Sequence, residues 1–274
     1  MGRLIKMDFY RLFRSKLFWV TNIILFGLNF LINFAIPFLT DWSIELLRST
    51  PDSGVSEAEL AAMAESNHMH FADLLSNPLS GLFMVILFVS ATGFLYADIK
   101  DGYIKNIAGQ ISRKGYTAFS KFIAILFHNA FFMVTALLSS TLAILICPKA
   151  TLAFDGDMGD AFVSFLVNYL LGIALTSIAL FFTAALGNKT LGIVIGVLFS
   201  VGALNLIYLG INKVIDLINI KNFDITKYMP DTLYGHVFKT SETVELCTAL
   251  AVALIFTTGF IALSIFIINK RDVK

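Results

Sequence analysis

The residues able to do chemistry are few and scattered along this chain. His128 and Asn129 stand together inside an apolar run, where an imidazole is either a titratable group or a hydrogen-bond partner for a neighbouring helix, the second being the expectation. His68-Met69-His70 offers two imidazoles to a metal but no evident third ligand, so a solvated helix face is expected there. Gly187-Asn188-Lys189-Thr190 ends like a phosphate-binding loop, yet Phe182 stands where the first glycine belongs and Asn188 where the second does. Cys147 and Cys247 have no metal-ligand spacing, and two unpaired thiols are expected rather than a bridge. The nucleophile, carboxylate pair or metal cluster of an intramembrane protease is missing. No catalytic or metal-binding residue is assigned, and the chain is read as carrying no enzyme activity and no cofactor of its own.

The remaining concentration of reactive groups is a charged island, Ala97 to Lys121, between two long apolar runs. Within it Ile104, Ile107, Ala108 and Ile111 fall at i, i+3, i+4 and i+7, which gives a short helix one apolar stripe with Lys105, Asn106 and Gln110 turned away. Asp98 or Asp101 can cap its start, and Arg113, Lys114 and Gly115 supply an end. Such a helix either rests on lipid headgroups or docks a partner outside the membrane.

The elements that must hold this island are membrane spans. With 57% hydrophobic and 14% charged residues, and a mean hydropathy of +0.81, the chain has too few charges to coat a soluble globule of 274 residues. Apolar runs at 17–39, 79–97, 122–146, 161–186, 191–211 and 246–268 read as six transmembrane helices of an all-α membrane protein. The opening segment 1–16 carries Arg3, Lys6, Arg11, Arg14 and Lys16 against the single acid Asp8, with Ile5, Phe9, Leu12 and Phe13 on one face, and reads as an interfacial helix. Segments 1–16, 98–121, 187–190 and 269–274 hold 14 Lys and Arg against 4 acids, whereas 40–77, 147–160 and 212–245 hold 6 against 15. The asymmetry predicts both termini on the cytoplasmic side of a cell membrane. In the outer 40–77 segment, Ser56 and Glu59 read as a capping box opening a helix that runs toward Leu75.

Polar residues inside the runs are almost all uncharged, which disfavours a self-powered proton carrier. Asn22, Asn29 and Asn33 share one sector of the first run, and Asn168, Thr176 and Thr183 line up in the fourth. These rows either bond neighbouring helices, which is the leading expectation, or face a wet cavity as a candidate substrate path. Gly192 and Gly196 have the spacing that lets another helix approach closely, as in a dimer.

Taken together, the amphipathic opening helix (Phe9, Arg11, Leu12, Arg14, Ser15, Lys16) and the connector after the second run resemble the membrane subunits of type-2 ATP-binding-cassette exporters. The connector pattern of an acid, a glycine, a lysine, a short apolar helix, an arginine and a closing lysine is met by Asp98, Gly102, Lys105, 107–111, Arg113 and Lys121. The family often has glutamate where this chain has Asp98 and a proline before the arginine where it has Ile111 and Ser112. The resemblance implies a coupling helix made of Asp98, Asp101, Gly102, Ile104, Lys105, Ile107, Ala108, Ile111 and Arg113. It also implies a homodimer or paired permeases, and a separate cassette ATPase that binds ATP and magnesium. The expected function is export of an amphipathic peptide, drug or lipid through a bacterial cytoplasmic membrane, with no nucleic-acid partner. The rival expectation is a non-transporting scaffold or sensor that uses the island to recruit a cytosolic protein.

Overall fold

The computed structural model describes residues 2–50, 54–76, 81–100, 115–218, 223–234, 236 and 242–270. Eleven helices and two three-residue strands occur among them. They are α1 (Gly2–Arg14), α2 (Lys16–Ser49), α3 (Glu57–Glu65), β1 (His68–His70), α4 (Phe71–Ser76), α5 (Gly81–Lys100) and α6 (Gly115–Ile146), followed by β2 (Thr151–Ala153) and α7 (Met158–Leu186). The chain continues with α8 (Lys189–Ser200), α9 (Asn205–Leu217), a 3₁₀ turn (Ile225–Tyr228), α10 (Pro230–Leu233) and α11 (Thr243–Lys270). Four helices, α2, α6 from Phe119, α7 and α11, are long and apolar enough to cross a membrane, and α8 with α9 makes a fifth if that bent pair is one span. The protein is therefore an all-α membrane protein.

Helix α7 is the axis of the bundle, with 67% of its most apolar window buried against 17% for α2 and α11. Its first turn is fixed by Asp157, whose carboxylate accepts the amide N–H groups of Gly159 and Asp160, and its end by Gly187 in the left-handed conformation. Around it Met84, Leu87 and Phe88 of α5, Phe132 of α6 and Ala249 of α11 close the main core. Helices α2 and α6 run parallel, because Phe18 meets His128, Asn29 meets Ala136 and Phe34 meets Cys147 in ascending order. Helix α5 runs opposite to α6, since Ser90 contacts His128 while Phe94 contacts Lys121.

At the end of the bundle remote from α1, the segment 40–77 departs from its expected form. Helix α2 continues to Ser49, ten residues past the expected end of the run, and Ile44 is buried on this extension where α2 meets α3. The Ser56–Glu59 capping box is present, and its hydrogen bonds, the Ser56 amide first, hold the Glu59 carboxyl below the usual carboxylate range. The helix it opens stops at Glu65 rather than running to Leu75. The expected helix face at His68–His70 is instead a strand, paired in parallel with Thr151–Ala153. The Asn67 carbonyl accepts the Thr151 amide and Asn67 Nδ2 donates to Asp41 Oδ1 at 3.0 Å, so the chain is caught by a second segment before the helix can continue.

The other departure is at 191–211. Instead of one straight run, α8 and α9 meet at 68°, with Gly202 at φ +68° in the connection. A left-handed residue ends α8, and only glycine takes that conformation without strain.

Candidate functional site

Three places concentrate polar groups away from water. The first lies at the α1 end. Asp8, three residues after Ile5 and four before Leu12, shares the apolar stripe of α1 and is 2% exposed. Its Oδ1 stands 2.8 Å from Lys121 Nζ and its Oδ2 accepts the Ser120 hydroxyl at 2.5 Å, both from the start of α6. Lys121 is equally buried, and its ammonium lies 3.9 Å from the centre of the Phe94 ring of α5. Phe9 and Phe13 close the contact edge-on against Phe127. The basic opening helix is thus not merely laid on a surface. It is locked to the feet of α5 and α6, the two helices that flank residues 101–114.

Those residues, holding Asp101, Gly102, Ile104, Lys105, Ile107, Ala108, Ile111 and Arg113, lie outside the described part of the structure, and Asp98 falls in the last turn of α5. The pairing of Asp8 with Lys121 was open to sequence reasoning and missed by it. An acid on the apolar stripe of an otherwise basic amphipathic helix is the signal, because it can be buried only against a cation.

The second place is the middle of the bundle. His128 is buried, its Nε2 3.0 Å from Ser90 Oγ, and Ser90 Oγ accepts the Thr21 hydroxyl at 3.2 Å. This chain of three joins α2, α5 and α6, with the Phe18 and Phe132 rings on either side of the imidazole. Such a histidine holds helices together.

The polar rows do the same. Asn29 Nδ2 donates to the Ala136 carbonyl at 2.9 Å and to Ser140 Oγ at 2.8 Å, Asn33 joins it on Ser140, and Ser139 reaches back to the Phe26 carbonyl. Asn22 bonds the Phe18 carbonyl, Asn168 the Ser76 carbonyl at the end of α4, and Thr176 the Gly172 carbonyl within its own helix. These side chains, offered as a substrate path, are occupied in or between helices. Gly192 and Gly196 allow close approach inside the chain: a Cβ on Gly192 would lie 3.1 Å from Thr92 Cγ2, and one on Gly196 2.4 Å from Phe88 Cγ. Their hydrogen faces are filled by α5 and α7 of the same chain. Both cysteines are unpaired, Cys147 buried and Cys247 exposed.

The third place is the break between α8 and α9, at the end of the bundle remote from α1. A cavity of about 250 Å³ opens there, with Ser200, Asn205, Asp231, Thr232 and His236 among its polar lining and Met84, Leu175 and Phe199 among its apolar lining. Asp231, in α10, accepts the Tyr208 hydroxyl at 3.0 and 3.2 Å on its two oxygens. Burial pushes its carboxyl above the usual range, against the lowering effect of the Tyr208 hydroxyl and of its own and the Thr232 amides. The neighbouring 3₁₀ turn is capped by Asp224, which accepts the Thr226 hydroxyl and amide and the Asn212 side-chain amide, and these bonds hold its carboxyl below the usual range.

His68 and His70 project from one face of β1 to Thr151 and Asp155, with His70 Nδ1 2.6 Å from Asp155 Oδ1. Among the described residues no three histidine, cysteine or carboxylate groups converge as metal ligands. No family model matches the chain, and no curated protein matches it as a relative.

Proposed function

We propose that this protein is the permease subunit of an ATP-driven exporter, moving an amphipathic or hydrophobic substrate across the membrane under the drive of a separate ATPase. The observation that carries the reading is the lock between α1 and the feet of α5 and α6. A connector that transmits force from a soluble motor needs a stiff base, and a buried ion pair with an aromatic seal supplies one immediately beside 101–114.

A count of six crossings belongs to the same reading. Helix α5 is 20 residues long, buried at the centre and antiparallel to α6, and α8 in turn runs opposite to α5 through the Gly196–Phe88 and Gly192–Thr92 contacts. Taken as a span beside the four long apolar helices and the bent pair α8–α9, α5 brings the proposed count to six, which would put both termini on the basic side. The apolar stripe of Ile104, Ile107, Ala108 and Ile111 is the surface that seats the ATPase, and the basic residues around it orient the partner.

The test is a mild-detergent pull-down from the native membrane. A cassette ATPase is expected at one copy per copy of this chain, and replacing Ile104 and Ile107 by Asp should remove it while membrane insertion stays intact. Co-purification that survives the double substitution, or the absence of any ATPase, would sink the assignment.

A further inference from the structure

We propose that the cavity at the α8–α9 break binds the ammonium head of an amphipathic amine, with Asp231 as its counter-ion. The proposal concerns ligand chemistry and does not depend on export.

The charge balance of the cavity points to a cation. A partly buried carboxylate normally has a cationic partner, because an anion removed from water without one is costly. Among the described residues Asp231 has none: its partners there are one phenol and two backbone amides, none of them charged. Ser200 and Thr232 add hydroxyl oxygens whose own protons are already directed elsewhere, to the Gly196 and Met229 carbonyls, so toward the cavity they can only accept. The Asn205 side chain makes no hydrogen bond among the described residues. A group with several N–H donors and a positive charge satisfies this set of acceptors.

The helix ends do not reverse that preference. The carbonyl end of α8 favours a cation and the amide end of α9 an anion, and the two meet at the same cavity, so their dipoles offset each other. The carboxylate decides the sign. His236 also lines the cavity, is exposed, and makes no ion pair with Asp231.

The shape selects an organic cation rather than a bare metal ion. At about 250 Å³ the space is far larger than one ion, and no metal-ligand triad forms among the described residues. Beside the polar groups the lining holds Met84, Leu175, Phe199 and Val201, side chains suited to an alkyl chain. A lining that combines polar acceptors with apolar side chains fits a primary amine with a short hydrocarbon tail.

The experiment uses the full chain in a lipid-free non-ionic detergent, titrated calorimetrically with hexylammonium and, separately, with hexanol. Saturable binding of the amine and weaker binding of the alcohol are expected. Asp231→Asn should weaken the amine by about tenfold or more, the size of one lost charge-assisted hydrogen bond, and leave the alcohol unchanged. Asn205→Leu, which narrows the exposed mouth without touching the charge, should weaken both and keeps the test decisive if the Asp231 variant misfolds. Equal affinity for alcohol and amine, an Asp231→Asn protein that binds like the wild type, or no saturable binding would each overturn the proposal. Repeating the titration in phosphatidylethanolamine and phosphatidylcholine nanodiscs separates two sources of the ammonium. Competition only in the first assigns the site to the lipid headgroup, and undiminished binding in both assigns it to a soluble amine.

Discussion

Two carboxylates, Asp8 buried and Asp231 half-buried, lie at opposite ends of this bundle, and they are treated in opposite ways. Asp8 has a lysine at 2.8 Å and a serine hydroxyl on its other oxygen, both preceding the apolar length of α6. Asp231 has a tyrosine hydroxyl and backbone amides but no cation among the described residues. The first arrangement is closed, because the carboxylate has its counter-ion inside the chain. The second is open, because the carboxylate is held by neutral donors and faces a cavity. A buried anion with its cation in place is a joint, and one without is a receptor for a cation.

The largest effect expected from this contrast is at the joint. Asp8→Ala strands the Lys121 ammonium in the core, and removing one partner of a buried pair costs about 3–5 kcal/mol. Thermal unfolding in detergent should therefore drop sharply, and protease should cut α1 free of the bundle. The double change Asp8→Leu with Lys121→Met removes both charges and should recover most of the loss. An Asp8→Ala protein as stable as the wild type would break the comparison at its stronger end.

The next effect concerns how the open site is positioned. Helix α8 reaches its break at the right depth only because Gly196 lies against Phe88, where a Cβ would come within 2.4 Å of the ring. Gly196→Val forces one of the two helices outward and should cost about 1–3 kcal/mol. Because the Ser200 hydroxyl donates to the Gly196 carbonyl, the same change should also displace the cavity lining and weaken amine binding. Loss of stability with amine affinity intact would mean that the cavity is not positioned by this packing.

Much of this architecture is legible in the sequence because membrane spans are written in long-range composition. The apolar runs, the Ser56–Glu59 capping box and the hydrogen-bonded rows at Asn29 and Asn168 each follow from residue type and spacing within one helix. What escapes is pairing between distant segments. His68–His70 becomes a strand only because Thr151–Ala153 runs beside it, and the break at Gly202 is one glycine among 18 until its left-handed φ is seen. Ser120 lies 112 residues after Asp8, with Lys121 next to it, so each charge of the pair reads alone as an interfacial charge. Asp231 carries no local mark at all, since its meaning comes from its surroundings in three dimensions, where the described residues bring it a phenol and no cation.

The smallest effect expected is the one that separates the two carboxylates most cleanly. Asp231 in the folded protein has its carboxyl raised above its unfolded value, chiefly by burial, so its ionised form opposes folding. The sign follows directly: its contribution to stability is fully present below the unfolded value and is lost as pH rises through the raised folded value. Asparagine keeps the acceptor for the Tyr208 hydroxyl without the charge. Asp231→Asn should thus raise the midpoint of thermal unfolding at neutral pH by about 2 °C, the shift that roughly 1 kcal/mol produces in a chain of this size. That advantage should shrink as pH falls through the carboxylate range, where the wild-type side chain becomes neutral. A saturating amine should close the same gap at neutral pH from the other side, by giving the wild-type carboxylate its counter-ion. An Asp231→Asn protein less stable than the wild type at neutral pH would mean that the carboxylate already has a cation, and the two ends of the bundle would then be alike.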